Sequence, residues 1–181
     1  MAYNVKDVFY LDQYLSTGTV ADSQVASMDV SAYIDPIARG KQKATGLEIY
    51  KVHWDIVDSG SNDPVSAATT GTFRAALAAG TGYADGTVSL AADTLNAGNN
   101  LMISIMDYWA GGTAVGDFLG GKVWLEPSKD VPYVVVRDQL QIFTNASVAM
   151  NNAARAYVRL ECAQITLDQS TLNQLLRTQT V

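Results

Sequence analysis

Residues 47–57 read LEIYKVHWDIV, and the spacing of their apolar side chains decides the fold class. Tyr50, Val52, Trp54 and Ile56 recur at every second position, with Lys51, His53 and Asp55 between them. Side chains of an extended chain alternate between two faces, so this stretch predicts a strand with one buried and one wet row. His53 is the chain's only histidine. Beside an amine and a carboxylate it is either a proton-transfer centre or part of the solvent row of a sheet.

The same alternation recurs on both sides, in short segments separated by Gly, Asn, Asp and Pro. VASMDVSAYID (25–35) puts Met28, Val30, Ala32 and Ile34 on one face and stops at Asp35-Pro36, where proline ends a ladder. GTFRAALA (71–78), GTVSLAA (86–92), NLMISIMDYW (100–109), GKVWLE (121–126), PYVVVRDQLQIF (132–143) and ARAYVRLECAQITL (154–167) complete a set of eight candidate strands. AGTGYADG (79–86) and NAGN (96–99) carry turn residues tolerant of positive φ. GTFRAALAAG is rich in alanine, so a short helix is an alternative there.

Helices are expected at the ends. Val5, Val8, Phe9 and Leu15 fit a loose helical stripe, although an extended docking arm fits residues 1–20 as well. Asp168 is placed to cap a short helix whose Leu172, Leu175 and Leu176 share a face. The expected organisation is an arm or helix over 1–20, a sandwich over 21–167 and a short helix and tail over 168–181. Eight strands suit an all-β antiparallel sandwich of jelly-roll type, with a barrel or a seven-stranded immunoglobulin-like sandwich as alternatives.

Composition narrows the function. At 181 residues the chain suits one domain with a continuous core. Charged residues are 17% of it, below the roughly 25% usual for soluble domains. Net charge is −6, and only Arg39, Lys41 and Lys43 cluster, so direct nucleic-acid binding is not expected. No apolar run approaches the ~20 residues of a spanning helix. The first residues lack a signal peptide's apolar stretch, so synthesis in a cytosol is expected.

Candidate chemistry is thin. Cys162 alternates with Ala156, Val158 and Leu160, which marks a buried structural thiol, and one cysteine allows no internal disulfide. DSGSND (58–63) is an oxygen-rich turn, with Asp58, Asn62 and Asp63 as calcium candidates, but it lacks the spacing and distal Glu of an EF-hand. WAGGTAVGDFLGGK (109–122) is glycine-rich without phosphate-loop spacing, so it reads as a surface or contact loop. Trp54 and Trp124 sit in alternating strands and are expected in the core. Tyr108 and Trp109, ending a strand, could pack, stack on a sugar or anchor an interface. No catalytic residue and no cofactor is expected, and Asn145-Ala146-Ser147 is a sequon without a secretion signal.

The layout of an arm (AYNVKDVFYLDQYLSTG), strands from VASMDVSAYID to ARAYVRLECAQITL, Ala/Gly/Thr/Asn-rich loops and a C-terminal extension (DQSTLNQLLRTQTV) resembles the small single-jelly-roll coat proteins of tailless icosahedral viruses. The resemblance spans the chain but is architectural. It implies a non-enzymatic virion subunit, assembled in many copies with itself or with a second coat protein. Residues 1–20 hold only Lys6, unlike the basic arms of many RNA-virus coats, which suits a shell over an internal membrane or another layer. Interface candidates are Lys51, His53, Asp55, Tyr108, Trp109, Leu172, Leu175 and Leu176. The alternative is a carbohydrate-binding or adhesive sandwich, such as a phage tail-fibre domain, with a glycan receptor.

Overall fold

The computed structural model describes residues 8–35, 43–67, 69–80, 96–110 and 120–179. Among these lie β1 (Phe9–Ser16), β2 (Ser23–Asp29), a 3-10 turn (Ser31–Tyr33), β3 (Ala44–Asp58), β4 (Gly71–Ala79), β5 (Met102–Ala110), β6 (Gly120–Leu125), β7 (Tyr133–Val135), β8 (Gln139–Ala146), β9 (Ala154–Leu167) and α1 (Gln169–Thr178). Two antiparallel sheets result, ordered β1-β9-β3-β7 and β2-β8-β4-β5-β6. They pack as a sandwich. One core cluster joins Leu47, Ile49, Val52, Val158 and Leu160 of the first sheet to Leu77, Ile103, Leu140 and Ile142 of the second.

The expected all-β antiparallel sandwich and its C-terminal helix are present. The structure decides between local alternatives and corrects other expectations. Residues 9–16 are a strand and not a helix, because period two wins over the loose helical stripe: Phe9, Leu11 and Leu15 turn inward while Tyr10, Asp12 and Tyr14 are exposed. This strand pairs along its whole length with β9, from Phe9↔Cys162 to Ser16↔Arg155. GTFRAALA is the strand expected and not the helical alternative, since its two neighbours β5 and β8 supply ladder partners that outweigh alanine's helical preference. Ala75 to Ala79 are all buried, so β4 is covered on both faces. Small side chains suit that position.

The stretch 132–143 breaks into two strands that belong to opposite sheets, β7 beside β3 and β8 between β2 and β4. Gln179 holds the break: its Nε2 donates to the Val134 carbonyl at 2.5 Å, and the Val136 amide donates to its Oε1 at 3.3 Å. Alternation of VASMDVSAYID ends at Asp29, and the following 3-10 turn leaves Ala32 exposed while Val30 and Ile34 stay buried. The expected strand 86–92, Pro36 and most of the loops at 79–86 and 109–122 lie outside the described residues. The NAGN turn is present, closed by Asn99 N–H donating to the Asn96 carbonyl.

Asp168 caps α1 as expected, its Oδ1 accepting from the Thr171 amide at 2.7 Å. That bond holds the Asp168 carboxyl below its ordinary 3.8. The capping contribution is therefore complete above the unfolded value and lost as pH falls through the lowered one. Asp168→Ala is expected to reduce helical circular dichroism at neutral pH and to leave the strand signal intact. Equal helical signal in both proteins would refute the cap.

Candidate functional site

The outer face of the four-stranded sheet is built from the alternate residues that the core does not take. A bulge shapes it. Ile49 pairs with Cys162 and Lys51 with Glu161, leaving Tyr50 as the extra residue. The bulge switches the inward row from Leu47 and Ile49 to Val52, Trp54 and Ile56. Tyr50 thus leaves the row expected for it. It is buried, its hydroxyl donating to Glu48 Oε2 at 2.7 Å, and burial pushes its pKa up to about 12.

Beyond the bulge, Lys51, His53 and Asp55 are exposed, as the alternation predicts. The registers bring them into line with β9 and β1. Lys51 lies level with Glu161 and Tyr10, His53 with Arg159 and Asp12, and Asp55 with Tyr157 and Tyr14. His53 Nε2–H donates to Glu161 Oε1 at 2.8 Å. The Arg155 guanidinium lies 5.7 Å from the centre of the Tyr14 ring, and that of Arg159 lies 6.0 Å from Tyr10, both within cation–π range. Tyr14 and Tyr157 are 5.7 Å apart between ring centres. An open trough of about 830 Å3 runs over Tyr10, Asp12, His53, Asp55, Arg159 and Glu161 of this face.

The β1 and β9 contributors, Tyr10, Asp12, Tyr14, Arg155, Tyr157, Arg159 and Glu161, were missing from the sequence-derived site. Their signal was available in YLDQY (10–14) and RAYVRLE (155–161), where polar and aromatic residues hold alternate positions. What the sequence lacked was the β1–β9–β3 strand order.

This geometry bears on the catalytic alternative. Cys162 is in the core and His53 is on the opposite face of the same sheet, so the chain's one thiol and one imidazole face apart. At the DSGSND turn, Asp58 Oδ1 accepts from the amides of Gly60 (2.7 Å) and Ser61 (3.1 Å), and the Asn62 amide donates to the Asp58 carbonyl. The Gly60 amide in particular lowers the Asp58 carboxyl. Asp58 closes its own turn; Asn62 takes the left-handed conformation there (φ 60°). Among the described residues, no three His, Cys, Asp or Glu side chains gather as a metal site.

A second surface lies at β6, which among the described residues is the end strand of the five-stranded sheet. Trp124, expected in the core, is 52% exposed, because an end strand has a neighbour on one side only. The Lys122 ammonium sits 3.7 Å from the centre of its ring. Trp109 is 40% exposed opposite Gly120, and Val123 is exposed as well. Tyr108 is half-buried and lies across Gly121, where an added Cβ would come within 3.1 Å of its ring. Inboard, Arg74 grips the buried Asp107 with two hydrogen bonds of 2.6 and 2.7 Å. The leucines of α1 split: Leu172 is buried against Ala44, Val136 and Leu167, so it stabilises the fold, and Leu175 and Leu176 pack partly on the same cluster.

Fold and surface together define a jelly-roll-type β-sandwich with an open polar–aromatic sheet face. The fold is similar to that of VP1 of Trichodysplasia spinulosa-associated polyomavirus, a jelly-roll capsid protein whose structure was solved in complex with sialylated glycooligomers. The TM-score is 0.51 at 10% identity, covering 90% of this chain and 95% of that one. The likeness is one of fold. No protein-family model matches the sequence, and neither does any curated protein. No helix among the described residues is long and apolar enough to cross a membrane.

Proposed function

We propose that this chain is a structural subunit of a virion shell, self-assembling through side-to-side contacts between sandwiches. The observation that carries the reading is the β6 edge. Among the described residues β6 is the end strand of its sheet, and Val123 and Trp124 on it stand exposed beside Trp109 of β5, an arrangement that invites pairing and that monomeric proteins usually blunt. A shell subunit covers such an edge with its neighbour. The capsid-type fold supports this reading, and the low charge content is consistent with a surface largely buried against copies. An inner layer or second coat protein is a further partner of the shell.

Purified protein is expected to form large closed particles by electron microscopy and light scattering. A strictly monomeric species at high concentration across salt conditions would overturn the proposal. Trp124→Lys places a charge where apolar contact is required, and is expected to shift the population from particles to small species. Particles of unchanged yield and size would remove β6 from the contact. A carbohydrate-binding role is favoured by the exposure of Trp109 and Trp124, aromatic side chains of the kind that stack on sugars. Binding on a glycan array that both Trp→Ala changes abolish would support that second reading.

A further inference from the structure

We infer that the outer face of the β1–β9–β3 sheet is a second docking surface, and that its occupant is another copy of this chain. The inference rests on the shell reading for its biological setting, but its chemistry is independent of β6.

Charge balance argues for a self-complementary partner. Asp12, Glu48, Asp55 and Glu161 share this surface with Lys51, Arg155 and Arg159, a near balance of −1 on a chain of net charge −6. Among the described residues, His53 closes on Glu161 through a hydrogen bond on this face. The remaining charges of both signs are interleaved within the three strands. A second copy turned against the first can set acids on bases, which fixes register and rejects misaligned approaches. A purely acidic or basic partner would meet nearly as much repulsion as attraction. Tyr10 and Tyr14, 58% and 52% exposed, supply the apolar area that such a contact covers.

The area sets the strength. Eight residues of β1 at about 3.4 Å each and three strands about 4.8 Å apart cover roughly 400 Å2 in plan. That is about half of what a stable two-body interface buries on each partner. A contact of this size is weak alone and becomes effective when each subunit engages a second surface as well.

Two double variants test the inference without presupposing a register. Lys51→Glu with Arg159→Glu makes the face acidic, and Asp12→Lys with Asp55→Lys makes it basic. Both are mixed for foldedness controls by circular dichroism and then examined by sedimentation velocity. Each variant alone is expected to lose particles. An equimolar mixture is expected to associate at least about tenfold more tightly than either variant alone, and to dissociate at high salt. Folded variants that both assemble like the wild type would overturn this docking surface while leaving the shell reading intact. Should the wild type prove monomeric throughout, the shell reading fails, yet the mixture still has to form a salt-sensitive complex; its absence refutes the inference by itself. Unchanged assembly accompanied by loss of wild-type glycan binding in both variants would assign the trough to a carbohydrate instead.

Discussion

Leu160→Ala is expected to lower the stability of the folded chain by about 2–5 kcal/mol, the range for removing a fully buried leucine side chain. Leu160 is 0% exposed and lies midway along β9, level with Leu11 on one side and Val52 on the other. Its contacts reach the main cluster shared by both sheets, so the void left behind has walls from strands that cannot all close on it. A urea titration would read the change as a lower midpoint with an unchanged slope. A loss below about 1 kcal/mol would show that β9 is not at the centre of the packing. The change also bears on function, because Arg159 and Glu161 flank Leu160 and project from the opposite face. A softened β9 loosens the proposed contact even though no contact residue has been altered.

Cys162 is expected to resist thiol reagents in the native protein by about three orders of magnitude relative to the unfolded chain. Burial pushes its thiol from the ordinary 9.0 up to about 12. At pH 8 the ionised fraction then falls from roughly one in ten to roughly one in ten thousand, and the thiolate is the reacting species. Stopped-flow or mass-spectrometric labelling with and without denaturant measures this directly. Rapid native labelling would place the thiol outside the core. The same shift has a sign for stability. Folding keeps the proton on a group that the unfolded chain releases above about pH 9, so the contribution is whole below that value. It is lost progressively as pH rises toward 12.

The surface predictions have a different physical basis. Removing an exposed charge or an exposed Trp124 changes little in the isolated subunit, where water solvates both, and its consequence appears on association. Core and surface substitutions therefore separate two properties that a single assembly assay would confuse. A variant that melts early and fails to assemble reports on the fold. One that melts normally and fails to assemble reports on a contact.

The sequence by itself determined the class of the fold and which residues of the central strand meet water. Period-two alternation is a local property, and Lys51, His53 and Asp55 are exposed because their neighbours Val52, Trp54 and Ile56 are apolar. The buried state of Cys162 and the Asp168 cap were readable for the same reason, since each depends on residues within a few positions. Only the tertiary structure decided what lies beside them. The Tyr50 bulge appears in the pairing of β3 with β9 and not in β3 alone. The division of 132–143 between two sheets depends on Gln179, more than forty residues away. Trp124 is exposed because β6 is an end strand, a fact of strand order and not of composition. The KVHWD row became a surface only when strand order set β1 and β9 alongside it, bringing Glu161 to His53 across 108 positions of sequence. Alternation assigns a side chain to a face, but long-range pairing chooses its neighbours, and that choice makes the surface.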